Sequence, residues 1–203
     1  MQAKQARGRW QTEQLRAVEE RLHEAARSMR MRPMPESPFG STEAGYADYR
    51  GITLAQPVRY LGIERVDLSD AVFKDGASIN ESEARACRFD RIDMRRVFVR
   101  RRFEGCSFVG AKLNGARLGV EFAGCDFSSA NLSRSFATDC RFVNCVFAEA
   151  NLSDVHFISC VFEGCDFSAV KSLSGSVARS RFVGGVVSMA QLEACITDGV
   201  VIR

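Results

Sequence analysis

Large apolar residues recur at every fifth position from about residue 52 onward, and a small residue stands two positions before most of them. The stretch CRFVNCVFAEANLSDVHFISCVFEGCDF, residues 140–167, shows both series. A period of five fits neither the 3.6-residue turn of a helix nor the two-residue alternation of a strand. It predicts a chain that turns a corner every five residues and closes a square coil every twenty.

A second periodicity near twenty supports the square coil. Stacking the coils gives columns of one residue type, such as the second-face column Met94, Leu113, Leu132, Leu152, Ser172 and Leu192. Two coils are one residue short, and both lose it at the same corner, between Val99 and Phe103 and between Leu118 and Phe122. The predicted core consists of Cys87, Phe89, Cys106, Phe108, Cys125, Phe127, Cys145, Phe147, Cys165, Phe167, Phe103, Phe122, Phe142, Phe162, Phe182, Leu113, Leu132 and Leu152.

All eight cysteines fall at the small inward position, where a free thiol behaves as a small apolar group. A zinc site usually has a C-x2-C pair or histidine ligands, and neither is present, so we expect no metal and no cofactor. Adjacent coils lie about 4.8 Å apart, which leaves a disulfide between neighbouring coils open on distance alone. No apolar run reaches the ~18 residues of a membrane span and no secretory leader is evident, so we expect a cytoplasmic protein with reduced thiols.

The motifs resemble those of the pentapeptide-repeat family. ANLSR at 130–134, ANLSD at 150–154, AKLNG and ARLGV are similar to its A-(D/N)-L-x-x pattern, and CDFSS, CVFAE and CDFSA to its Cys/Phe variant. The resemblance covers about residues 60–203 and implies an all-β solenoid, a right-handed quadrilateral β-helix. About seven coils are expected, with an early partial coil that has an extra residue near KDGAS.

The chain before the repeats divides into two parts. Residues 1–32 are predicted to form an amphipathic α-helix, because Leu15, Val18, Leu22, Ala25 and Met29 follow helical spacing. Residues 33–51 hold three of the four prolines and are predicted to be a loosely ordered linker. The β-helix then occupies residues 52–203.

The repeats carry no recognisable catalytic set, so we expect a non-enzymatic protein. His156 should point outward and His23 lies on the helix, and neither has an evident partner for acid–base catalysis. The glycines of FEGC, FAGC and FVGG, with Asn144, share an outer column and predict a tight corner rather than a phosphate loop, because no helix follows.

The outer surface is the expected functional part. Arginines 95, 96, 100, 101 and 102 surround one coil, either paired with Asp90, Asp93 and Glu104 or free to bind an acidic partner or nucleic acid. The direction of Arg101 is ambiguous, because it lies on the shortened corner. The recurring apolar outward residues imply cover by the helix or by a partner. The candidate partner surface is Arg95, Arg96, Phe98, Arg100, Arg102, Phe136, Val143, Val161 and Val183.

The C-terminal coil has no evident cap, and unpaired strand edges favour a homodimer through that end, with the N-terminal helix as the alternative interface. The candidate dimer residues are Leu192, Ile196, Val200, Val201 and Ile202. These features predict a scaffold or adaptor that binds a protein partner. The resemblance implies an alternative, a DNA mimic that inhibits or protects the type II topoisomerase gyrase. Residues 52–203 hold 19 Lys and Arg against 18 Asp and Glu, a net charge of +1, whereas a mimic needs an acidic stripe. The small net charge also argues against nucleic acid, with binding through the arginine patch a distant alternative.

Overall fold

A computed structural model describes residues 3–74 and 77–203 of the protein. It contains the predicted all-β solenoid, a right-handed quadrilateral β-helix, with helical structure at the N-terminus. The rod has about eight turns rather than about seven. The additional pairing lies in the segment that the sequence predicted to be a linker.

The strands stack in parallel, one turn on the next, and form four faces. The first two faces hold short strands followed by single bridges: β2 (Ala47–Asp48), β3 (Thr53–Leu54), β6 (Val66–Asp67) and β7 (Val72–Phe73). The third face holds β4 (Val58–Arg59), β11 (Phe136–Thr138) and β17 (Cys195–Ile196). The fourth face holds β1 (Arg32–Pro33), β5 (Leu61–Glu64), β12 (Arg141–Val143), β14 (Val161–Glu163), β16 (Arg181–Val183) and β18 (Val201–Ile202).

Five longer strands run around a corner. β8 (Ser78–Arg85), β9 (Phe98–Glu104) and β10 (Arg117–Ala123) join the third face to the fourth, and β13 (Asn151–Ile158) and β15 (Ser172–Ser176) join the second to the third. The corner in β9 and β10 is the one that the sequence shows to be a residue short. Arg101 lies in β9 with a φ of 100°, and its side chain points outward, within 3.9 Å of Glu81.

The predicted core columns lie inside the rod, and all of the predicted core residues named above are buried. The phenylalanines stack in two parallel columns, with ring centroids about 5 Å apart, as between Phe108 and Phe127 (5.0 Å) and between Phe122 and Phe142 (5.2 Å). Rings of the two columns also meet edge to face, as between Phe122 and Phe127 at 5.5 Å. The repeat therefore builds a continuous aromatic interior.

One predicted core position is wrong. Leu152 pairs with Leu173 and not with Ser172, so the second-face column continues through Leu173. The segment SAVKSL is one residue longer than the corresponding segment of the preceding turn. The next corner is one residue shorter, so the two turns are in register again where Ser176 lies opposite His156. The extra residue expected near KDGAS falls partly on Asp75 and Gly76, which lie outside the described residues.

The segment 33–51 is not a loosely ordered linker in the structure. Arg32 and Pro33 pair with Leu61 and Gly62, and Ala47 and Asp48 pair with Val66 and Asp67. Backbone pairing with the next turn requires no five-residue apolar period, so the sequence pattern did not reveal it. The first turn of the rod is therefore formed partly by proline-rich chain.

Helical structure covers the N-terminal end of the rod. Helix α1 spans Ala3–Gly8 and helix α2 spans Thr12–Ser28, and the chain between them breaks the single predicted helix. Val18, Leu22 and Ala25 of α2 are buried in the same apolar cluster as the first turn of the rod. Met29 has a left-handed φ of 49° and is 71% exposed, because α2 ends before it.

Candidate functional site

The interior of the rod is filled with apolar side chains and thiols. Seven cysteines are buried and Cys195 is half-buried, and none of the eight forms a disulfide bond. Each buried thiol lies close to backbone carbonyls, as where Cys145 Sγ donates to the Phe122 oxygen of the preceding turn at 3.3 Å. Within the described ranges, no group of three or more His, Cys, Asp or Glu side chains could hold a metal ion. The chemistry available to a partner is therefore on the outside.

A stacked ladder of side chains runs along the third face. Phe98, Arg117, Phe136 and His156 occupy successive turns, aligned by the pairing of β9, β10, β11 and β13. The Arg117 guanidinium lies 5.2 Å from the Phe98 ring centroid and 6.0 Å from that of Phe136. The rings of Phe136 and His156 stack at 4.9 Å with 9° between their planes. We call these four residues the third-face ladder.

The ladder stays partly open to solvent. Phe136 is 44% exposed, and Ile196, further along the same column, is 59% exposed. Helix α2 contacts this face at β4, in the first turn of the rod, and leaves Phe136 exposed further along. The expectation that the helix covers the apolar columns is therefore wrong for the ladder.

The arginines of the predicted patch do not lie together. Arg95 is on the second face, where it forms a bidentate pair with Asp93 at 2.8 Å. Arg102 is on the fourth face, 3.3 Å from Glu121 and 3.7 Å from Glu104. Arg100 projects beside the ladder, with its guanidinium 5.3 Å from the Phe98 ring centroid, and Arg96 lies at the corner that leads into this face. Because the chain turns a corner every five residues, neighbours in sequence are spread over three faces.

The fourth face carries alternating charges and then valines. Ion pairs link successive turns, as between Arg85 and Glu104 (3.2 Å) and between Arg141 and Glu163 (2.6 Å). Val143, Val161 and Val183 lie among and beyond these pairs, and each is half-buried. The predicted apolar column on this face is not continuous, because Glu163 lies between Val143 and Val183, and Val161 lies between Arg141 and Arg181.

The C-terminal end of the rod has an apolar surface without helical cover among the described residues. Ile196 and Ile202 are exposed, and Val200 and Val201 are half-exposed. Leu192, also a candidate dimer residue, lies in a short 3₁₀ turn, Ala190–Leu192, and is 1% exposed. The exposed Val186 and Met189 belong to this end, although the sequence did not single them out.

A buried ion-pair network fastens the helical segment to the rod, and sequence reasoning missed it. The Asp48 carboxylate accepts hydrogen bonds from Arg9 Nη1 at 2.8 Å and from Arg50 Nη2 at 2.7 Å. Burial opposes ionisation of Asp48, but the hydrogen bonds from Arg50 and Arg9 outweigh it and hold the pKa of this carboxyl well below its usual range. Trp10 adds a hydrogen bond from its indole nitrogen to the Arg50 carbonyl at 2.9 Å. The partners lie about 40 residues apart, so no local pattern could have revealed them.

The repeat is recognised independently by a family model. The model described as pentapeptide repeats, in eight copies, matches residues 102–142, 125–164 and 138–171. Residues 102–171 of the chain therefore match pentapeptide repeats. These segments contain most of the stacked phenylalanines of the rod.

Solved structures of QnrB1 share the fold of the rod. Full-length QnrB1, described as a plasmid-mediated fluoroquinolone resistance protein, aligns with a TM-score of 0.54 and 13% identity, covering 77% of this chain and 91% of that one. A trypsin-treated QnrB1 variant gives 0.55 and 14%, covering 77% and 89%. HetL from the cyanobacterium Nostoc sp. strain PCC 7120, described as involved in heterocyst differentiation regulation, gives 0.40 and 17%, covering 92% and 80%. No curated protein matches the sequence significantly.

Proposed function

We propose that this protein is a non-catalytic scaffold or adaptor that binds another protein through the outer faces of its rod. The observation that carries the proposal is the third-face ladder, a column of flat side chains that remains partly exposed along a rigid surface. Aligned apolar groups on a soluble rod are typical of protein interaction sites. The filled interior supports the proposal, because side chains rather than a substrate pocket occupy the space within the turns.

The proposed location is the cytoplasm, where the buried thiols would remain reduced. No helix in the described ranges is both long and apolar enough to cross a membrane. A tagged full chain, expressed in cells of the source organism, tests the scaffold role directly. We expect a defined protein to co-purify with the wild type and to be lost with Phe136→Asp, while Val146→Asp on the first face retains it. Recovery of the same proteins with both variants would refute the use of the third face.

We further propose that two copies associate through the C-terminal end of the rod. Ile196 and Ile202 are exposed at that end of the described rod, close to the exposed Val186 and Met189. Light scattering on the full chain should give a dimer, and Ile202→Asp should give a monomer with an unchanged far-ultraviolet circular dichroism spectrum. A monomeric wild type would refute this interface. A dimeric Ile202→Asp variant would show that the dimer forms through another surface.

The gyrase-mimic alternative has the shared fold of QnrB1 in its favour and the surface charge against it. The fourth face alternates acidic and basic side chains that neutralise one another, as Arg102 does with Glu121 at 3.3 Å. A DNA mimic requires a continuous acidic surface, so the scaffold is the preferred proposal. A gyrase supercoiling assay separates the two, because inhibition or protection by micromolar protein would favour the alternative.

A further inference from the structure

Four arginines on the third face and its leading corner have no acidic partner. Arg96, Arg100, Arg117 and Arg134 are exposed, lie on three consecutive turns, and form no salt bridge with any described residue. Arginines on the other faces are mostly paired, as Arg91 is with Asp70 at 2.9 Å. Positive charge is therefore left uncompensated on this surface.

Two glycines give these arginines room to lie along the rod. A Cβ placed at Gly115 would be 3.3 Å from Arg96 Cγ, and one at Gly119 would be 3.2 Å from Arg100 Cγ. Both arginine stems therefore extend over the next turn. Arg96 extends in the direction of Arg134, which follows Gly115 in the same corner column.

Arg117 is held more firmly than a free surface arginine. Its guanidinium lies between the rings of Phe98 and Phe136, at 5.2 and 6.0 Å from their centroids. Such stacking leaves the N–H groups at the edge of the guanidinium available, and these match the two oxygens of a carboxylate or phosphate. The ladder thus presents a pre-oriented anion-binding fork between apolar ring edges.

The state of the aromatic rings favours a protein partner over a nucleic acid. Proteins that bind single strands stack bases on exposed aromatic faces. In the ladder these faces are covered by neighbouring groups, because Arg117 lies against Phe98 and His156 stacks on Phe136. Ring edges remain, and these suit apolar side chains. Acidic groups border the surface at its corners, at Asp139 on the turn of Phe136 and at Asp154 on the turn of His156.

We infer that the third face, from Arg96 to His156, is a docking surface for an acidic segment of a partner protein in which Asp or Glu alternates with apolar side chains. This inference rests on the proposed scaffold function and specifies the chemistry of the partner. The carboxylates would pair with the free arginines, and the apolar side chains would contact the edges of Phe98 and Phe136.

The test is selection of random peptides of about 12 residues, displayed on phage, against the full chain at about 0.15 M salt. The selected peptides should be enriched in acidic and apolar residues. Their affinity should fall at least about tenfold for R100E/R117E and about fivefold for Phe136→Ala, which changes no charge. The matched control R179E/R181E makes the same charge change away from the ladder and should retain full affinity. Far-ultraviolet circular dichroism checks that each variant is folded.

Three results would overturn the inference. Selection without a binder, or binders without acidic enrichment, would remove the acidic segment. Binders that recognise R100E/R117E as well as the wild type would place the site elsewhere on the rod, and the scaffold proposal would stand. An oligothymidylate of about 20 nucleotides that binds more tightly than the peptides, and is lost in R100E/R117E, would assign the surface to nucleic acid.

Discussion

Truncation of Phe127 should show how far the stability of the rod depends on its aromatic interior. The ring is fully buried, with 0% exposure, in the middle of one stacked column. It stacks on Phe108 at 5.0 Å and on Phe147 at 5.2 Å, and meets Phe122 and Phe142 edge to face. Phe127→Ala therefore removes four ring contacts at once.

The expected loss is large because the cavity cannot collapse easily. The turns above and below are held about 4.8 Å apart by backbone pairing, so neither can move in to fill the space. Buried Phe→Ala changes cost about 3–5 kcal/mol, and we expect the free energy of unfolding of Phe127→Ala to fall by about 4 kcal/mol. Phe136→Ala is the matched control, because that ring is 44% exposed, and it should cost about 1 kcal/mol.

Urea unfolding followed by two probes provides the measurement. Far-ultraviolet circular dichroism reports the whole rod, whereas emission from Trp10, the single tryptophan, reports the N-terminal cap. Because each turn of a solenoid contacts only its neighbours, the two transitions should separate in Phe127→Ala and coincide in the wild type. A loss below about 1.5 kcal/mol for Phe127→Ala, or an equal loss for Phe136→Ala, would refute the role assigned to the stack.

Three further predictions follow from other features. Asp48→Asn should cost about 3 kcal/mol, because it leaves Arg9 without its buried counterion, and should shift Trp10 emission. The pKa of Asp48 is lowered in the folded state, so the stabilisation that its carboxylate provides is complete above the unfolded pKa near 3.9 and is lost as the pH falls below that value. The free energy of unfolding of Asp48→Asn should therefore decrease less steeply with falling pH than that of the wild type. Ellman's reagent should label about one thiol in the native protein, the half-buried Cys195, and all eight in denaturant, and rapid labelling of several native thiols would contradict the burial. Gly185→Ala should cost about 1–3 kcal/mol in urea unfolding, because the new Cβ would lie 2.4 Å from the Cys165 carbonyl oxygen, and an unchanged midpoint would contradict this clash.

The repeat region was predictable because its determinants are local and repeated. Each turn places Phe or Leu and a small residue at the same inward positions. An uncorrected shift of one residue in one turn would therefore displace these residues from their columns in every later turn. The corner column of Gly105, Gly124, Asn144, Gly164 and Gly184 was predictable for the same reason, and all five have a positive φ between 51° and 62°. The sequence did not show that most other corners are also left-handed, because there Arg, Asp, Glu and Ser adopt this conformation under the constraint of the coil.

Features that depend on distant partners could not be predicted. Arg32 and Pro33 join the fourth face only through backbone pairing with β5, and a backbone bond leaves no pattern in side chains. Helix α2 was predicted from its apolar stripe, but a stripe does not specify which surface it covers. The sequence predicted only part of the candidate surface and missed Arg117 and Arg134. These two residues lie one and two turns after the arginine-rich segment and come close to it only through the stacking of the turns.

The two ends of the described rod differ, and this difference bears on the size of the proposed assembly. Helix α2 packs on the first turn, whereas Ile202 is exposed at the other end. A rod that could bind further copies at both ends could assemble head to tail without limit and form fibres. In the proposed dimer, two copies meet at the C-terminal end about a two-fold axis, and that contact leaves no site for a third copy. On that proposal, helix α2 prevents end-to-end addition at the other end, and its removal should convert a closed pair into an open chain.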